Sequence, residues 1–266
     1  MKSNRFKLTV KGDEADESIR LSDLVDQLKA LKRVLHQVDS SLGGGKPSGL
    51  YCRITNITMS SPATFEVEAV SKSKGVAHAR KVVSKLGSDL QKVIQGKRPN
   101  DAGLPLLESY GALVKPMQQH VRGLSLQFGK KLIELPSNLE TKVDNILGPD
   151  QIEYGSIVGS LDALDIHNDK NIFKVYPVVG PQSIHCHFPS GMRQQAIGGI
   201  GHFVCIRGRL HYKKAEKFPH LIQVESIELL PERTDAQPLS SLRGMAPAAY
   251  GGSSTEYVEK VRNGDW

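Results

Sequence analysis

The chain has 266 residues, with 35 Lys and Arg against 28 Asp and Glu, and three cysteines. No window approaches the ~18 consecutive apolar residues of a membrane span. No apolar run follows Met1-Lys2-Ser3-Asn4-Arg5, so a secretory signal is not expected and a cytoplasmic location is. Cys52, Cys186 and Cys205 form no C-x-x-C pair, which argues against a disulfide scaffold and fits buried thiols within strands in a reducing compartment.

The length suits two small domains, each able to bury a core. Residues 1–148 read as a basic α+β domain. Phe6–Val10 alternates like a strand. Leu21, Leu24, Leu28, Leu31, Leu35 and Val38 recur at three- and four-residue spacing, a helical stripe that Ser22, Asp23 or Ser18 is placed to start. After a Gly/Ser/Lys/Pro loop, Leu50–Thr58 and Ala63–Val70 read as a hairpin. Val76, Val83, Leu86, Leu90 and Val93 give a second helical stripe, ended by Gly96-Lys97-Arg98-Pro99. Asp101–Met117 is interrupted by Gly103, Pro105 and Gly111. Val121–Phe128 and Lys131–Leu135 read as two more strands, and Pro136–Leu147 as a linker helix stopped by Gly148-Pro149.

Residues 152–231 predict a five-stranded, OB-like β-barrel. Ile152–Ile166 is a long first strand in which Gly155 and Gly159 allow a bend or bulge. Ile172–Val178 alternates, with Ile172, Lys174 and Tyr176 on one face. Ser183–Phe188 is the third strand, Met192–Ile197 a short helix, and His202–Tyr212 and Leu221–Leu229 the last two strands. Five strands with a helix after the third is the chain order of OB folds, which in many proteins hold single-stranded nucleic acids or oligosaccharides. The aromatics Tyr154, Phe173, Tyr176, Phe188, Phe203, Tyr212 and Phe218 are expected mostly to fill the core.

The charge is unevenly placed. Residues 1–151 carry 23 basic and 16 acidic side chains, 152–231 carry 8 and 7, and 232–266 carry 4 and 5. Arg80, Lys81, Lys85 and Lys92 lie along the second helix, with Lys97 and Arg98 beyond it. They read either as the solvated face of an amphipathic helix or as a phosphate-contacting surface. Gly43-Gly44-Gly45-Lys46 lacks the spacing of a phosphate loop and follows a helix, so it reads as a connector. His185 and His187 share a strand face, but no third ligand stands near them in sequence, so no metal is expected. No nucleophile or carboxylate motif is present, and the chain reads as non-enzymatic, without a cofactor.

Residues 232–266 read as a flexible tail with a short helix after Ser253 or Ser254. They keep the apolar anchors Leu242, Met245, Tyr250, Tyr257, Val258, Val261 and Trp266 in an otherwise polar, glycine-broken stretch. The run Leu242-Arg243-Gly244-Met245-Ala246-Pro247, then Gly251-Gly252 and Glu256-Tyr257-Val258 with Arg262, resembles the ends of small bacterial antitoxin-like proteins encoded beside PIN-type ribonucleases. The run Tyr154-Gly155-Ser156-Ile157-Val158-Gly159-Ser160-Leu161, with Val224-Glu225-Ser226-Ile227, is similar to an uncharacterised bacterial family of the same layout. The resemblance implies a non-enzymatic, antitoxin-like or defence-associated protein. Its tail, through Leu242, Arg243, Met245, Tyr250, Tyr257, Val258, Val261, Arg262 and Trp266, would capture a protein partner such as a toxin ribonuclease. The alternative is a nucleic-acid-binding protein that uses the barrel and the basic first domain.

Overall fold

The computed structural model describes residues 3–13, 18–43, 49–58, 62–118, 120–167, 170–180, 183–231 and 254–263. The protein is α+β, with two five-stranded sheets in two compact units. The first unit comprises Met1–Gln151 together with Tyr212–Pro219, and the second Ile152–His211 with His220–Trp266.

The first unit's sheet contains β1 (Arg5–Gly12), β2 (Leu50–Thr58), β3 (Ala63–Ser71), β4 (Val121–Phe128) and β5 (Lys131–Leu135) in the order β2-β3-β1-β4-β5. The pairings are antiparallel. Helix α1 (Leu21–Leu42) connects β1 to β2, and α2 (Gly75–Ile94) follows β3. The order 2-3-1-4 is that of a split β-α-β arrangement. Alternation sends Phe6, Leu8 and Val10 to one side of β1 and Phe65, Val67 and Ala69 to the same side of β3, all buried. Leu31, Val34, Leu35 and Val38 of α1 and Val82, Val83, Leu86, Leu90 and Val93 of α2 join that core. Each such side chain contributes about 1.5–3 kcal/mol by leaving water.

Three local expectations change. The residue before α1 is Arg20, with no side-chain cap, and Ser22 and Asp23 sit inside the first turn, where Asp23 is buried. Pro105 does not break the next helix; it occupies the first turn of α3 (Leu104–Ala112), where a missing N–H costs nothing. The segment read as a linker helix is α4 (Leu139–Leu147), and Leu139, Val143 and Leu147 belong to the first unit's core. Gly111, inside α3, lies beside α4, and a Cβ there would make ordinary contact with the Glu140 backbone at 3.5 Å.

The second unit contains β6 (Gln151–Asp165), β7 (Ile172–Pro177), β8 (Ile184–His187), helix α5 (Arg193–Gly198), β9 (Phe203–Tyr212) and β10 (Leu221–Leu229). The order β10-β8-β7-β6-β9 closes on itself through the antiparallel β9–β10 pair, and β8 and β10 run parallel. Leu161, Phe173, Val175, Ile184, Cys186, Val204, Ile206 and Ile222 fill the interior. The expected bulge in the first strand falls at Asp162, between Leu161 and Ala163, not at a glycine. The glycines serve close approach instead: a Cβ on Gly159 would lie 2.6 Å from the Tyr176 carbonyl oxygen, and one on Gly208 2.0 Å from that of Gln223. The last helix, α6, spans Ser254–Asn263.

The aromatics of the second half depart from the expected filling of a core. Phe173 and Phe188 are buried and tilt against each other at 5.4 Å. Tyr154, Tyr176, Phe203 and Phe218 are exposed, Tyr154 to 70%. Cys186 is buried as expected, whereas Cys52 is exposed and Cys205 half-buried.

Candidate functional site

Strand alternation and register together build one surface on the second unit. Phe173, Cys186, Ile222 and Leu210 stand opposite one another across β7, β8, β10 and β9, and all are buried. The residues between them therefore face outward. One outward row runs Asp165, Ile172, His187, Gln223, Arg209 across β6, β7, β8, β10 and β9. The next runs Ala163, Lys174, His185, Leu221, and Tyr176 follows Lys174 along β7, opposite Ser160. Neighbours within a row are about 5 Å apart, the spacing of paired strands.

The β7–β8 face, with β10 beside it, gathers Lys174, Tyr176, His185, His187 and Gln223, while Arg209, on β9, lies further round the closed barrel. Tyr176, His185, His187, Gln223 and Arg209 are exposed and Lys174 half-buried. Asp165 is held by the turn beside it: it accepts the His167 backbone N–H at 3.0 Å, and Lys170 lies 3.7 Å away. Arg209 pairs with Glu225 at 3.4 Å across solvent. Partial burial, then the neighbouring charges of Lys174 and His187, holds the His185 imidazole below its ordinary range. Near neutral pH that ring is uncharged, with one N–H donor and one acceptor nitrogen. An anion bound here would restore its positive charge.

The two histidines share a face as alternation requires. Among the described residues no group of three His, Cys, Asp or Glu side chains is placed to hold a metal ion.

The basic residues of the first unit divide. Arg80, Lys81 and Lys97 are exposed and Lys92 is half-buried. Lys85 is turned into the structure: its Nζ lies 2.9 Å from buried Asp89 and donates to the Asn100 carbonyl at 3.2 Å. Tyr110 donates its hydroxyl to the same Asp89 carboxylate at 3.0 Å, and burial with that neighbouring charge pushes its pKa up. Arg98 is likewise a brace. It donates to the carbonyls of Ala102 and Lys214 and pairs with Glu216. The line once read along α2 thus reduces to Lys81 and Lys92 on one side, with Arg80 and Lys97 flanking.

Of the tail anchors, Leu242, Arg243, Met245, Tyr250 and Trp266 lie outside the described residues, as do the side chains of Tyr257 and Val261. Val258 and Arg262 stand one turn apart on α6, both exposed. The connector glycines behave as backbone joints: Gly43 ends α1, and Gly201 takes φ +79° where the chain passes from α5 to β9.

Sequence reasoning placed Ile172, Lys174 and Tyr176 on one face and His185 and His187 on another, and did not join the two. The joining signal is the β7–β8 register, which single-strand alternation does not contain. Gln223 was missed altogether, because only the pairing of β10 with β8 brings it alongside. Comparison with protein-family models, with curated proteins and with solved structures gave no match.

Proposed function

We propose that the second unit is an OB-type barrel that binds single-stranded nucleic acid on the outer face of β7 and β8. Strand order β9-β6-β7-β8 is a Greek key of spatial order 4-1-2-3, completed by a fifth strand, with a helix between the third and fourth. OB folds receive oligonucleotides on the face of their second and third strands, here β7 and β8. The observation that carries the reading is the content of that face: an exposed tyrosine, a lysine and two histidines side by side. Tyr176 offers a stacking platform, and Lys174 offers a phosphate contact. His185, His187 and Gln223 supply hydrogen-bond donors and acceptors to base edges. Nothing in this set is arranged as nucleophile and base, so the reading is of a binding protein.

The test is fluorescence anisotropy of the intact chain with a labelled oligothymidylate of about 12 nucleotides and with a duplex of equal length. Single strands should be preferred. Tyr176→Ala should weaken binding about 5- to 150-fold, the range of one lost base stack. Lys174→Ala should reduce the slope of log affinity against log salt by about 0.7. Equal affinity for single strand and duplex, unchanged in both variants, would reject the site.

A second reading keeps the tail as a partner-capturing element, with the α6 pair Val258 and Arg262 presented to a protein such as a PIN-type ribonuclease. The formation of a helix over Ser254–Asn263, with an apolar side chain in solvent, favours it.

A further inference from the structure

The first unit's sheet ends very differently at its two edges. β5 is five residues long, with the exposed charges Lys131 and Glu134, the usual means of discouraging a further strand. β2 is nine residues long and carries a single charge, Arg53, which is paired with Glu68 at 2.9 Å. Among the described residues, β2 pairs only with β3.

The core-side row of β3, Ala69, Val67 and Phe65, is buried. Its partners in register on β2 are Cys52, Ile54 and Ile57, all exposed, Ile54 at 44% and Ile57 at 50%. The apolar row therefore runs out onto β2 and stops at an open edge. Tyr51, Arg53, Asn56 and Thr58 lie on the opposite side, beside Val70, Glu68, Glu66 and Thr64.

The bulge at Thr55, between Ile54 and Asn56, gives this strand an unusual symmetry. Reading outward from the Ile54–Thr55 peptide, Arg53 and Asn56 share one face, Cys52 and Ile57 the other, and Tyr51 and Thr58 the first again. A regular strand has no such mirror at a peptide bond, because its faces alternate without interruption.

We propose that β2 pairs antiparallel with β2 of a second copy of this chain, about a two-fold axis at the Ile54–Thr55 peptide. A copy is the occupant that fits, because it brings the same bulge to the same level. Each Cys52 then meets the partner's Ile57 on the apolar side, and each Arg53 faces an Asn56, so no like charges oppose. Two five-stranded sheets become one of ten, and the ends of both apolar rows leave water. Two-fold dimers are the commonest symmetric oligomers, and their interfaces pair the same patch on both copies.

Light scattering of the intact chain should give twice the 29.1 kDa chain mass at micromolar concentration. The Ile54→Lys/Ile57→Lys variant should give the single-chain mass with an unchanged circular-dichroism spectrum and a melting temperature that, unlike that of the intact chain, no longer rises with protein concentration. Opposed residues of an antiparallel pair have Cα atoms 4.5–5.5 Å apart, within disulfide reach. Ile57→Cys treated with copper phenanthroline should therefore yield a dimer linked through Cys52, abolished by Cys52→Ser. A monomeric intact chain would overturn the proposal, as would a dimer that survives the double lysine substitution. A chain that dimerises only after residues 232–266 are removed would also overturn it, by showing that the tail occupies the edge.

Discussion

At the scale of single residues, the decisive distinction is between charges that face solvent and charges the fold has used. Lys81 and Lys85 stand one turn apart on α2 and look equivalent in sequence. Lys85 completes a buried trio with Asp89 and Tyr110, while Lys81 is exposed. The local mark is Asp89, one turn beyond Lys85 on the same face of α2, whereas Lys81 has Lys85 at that spacing; the burial comes from Tyr110 of α3. His185 is the opposite case. Partial burial, then its neighbours Lys174 and His187, lowers its tendency to hold a proton, and the charge of a bound phosphate would act in the opposite direction. The complex then takes up a proton on forming, so affinity for an oligonucleotide should rise as pH falls from about 7.5 to about 5.5, through the ordinary histidine range. The free protein should show the converse. The unfolded chain binds the proton more readily than the folded one, so this group's contribution to stability declines over the same fall in pH. Anisotropy titrations at several pH values check the first half, and the rise should flatten in His185→Ala. An affinity that is constant with pH, or that falls on acidification, would remove His185 from the interface.

At the scale of elements, periodicity made most of the secondary structure legible. The leucine stripe marks α1, the Val76–Val93 stripe marks α2, and period-two runs mark the strands of both halves. Elements were misread where burial overrides local signals. The glycines and proline of Asp101–Met117 look like breaks, yet Gly103 precedes α3, Pro105 sits in its first turn and Gly111 is buried inside it. The aromatics of the second half look like core and stand largely outside it, because the small and β-branched residues Val175, Ile184, Cys186, Val204 and Ile206 already fill the interior. The tail is the element on which the partner-capture reading stands. Since β10 ends at Leu229, removal of residues 236–266 should leave the melting temperature and the oligonucleotide affinity within error of the intact chain. Protection of cells against a neighbouring PIN-type ribonuclease should be lost. A melting temperature lowered by several degrees would place the tail against its own body, and undiminished protection would move the partner surface elsewhere.

At the scale of the whole molecule, the chain order of the second half pointed to a five-stranded module with a helix after the third strand. What it did not contain was the register of the pairs that close the barrel. The parallel β8–β10 pair and the β9–β10 pair join segments far apart in sequence, through contacts that no local pattern encodes. The candidate site depends on that closure, since His185 and His187 acquire Leu221 and Gln223 as neighbours only through β10. The open edge at β2 was equally hidden: Leu50–Thr58 reads as an ordinary hairpin strand, and its bulge appears only in the pairing with β3.

Hydrogen–deuterium exchange of the intact chain, with and without a saturating oligothymidylate, tests the central claim most directly. It locates the interface without altering a residue. Peptides covering Ile172–Pro177, Ile184–His187 and Leu221–Gln223 should exchange more slowly in the complex. Protection confined to α2 or to α6, with the β7–β8 face unchanged, would contradict the assignment of nucleic-acid binding to the barrel.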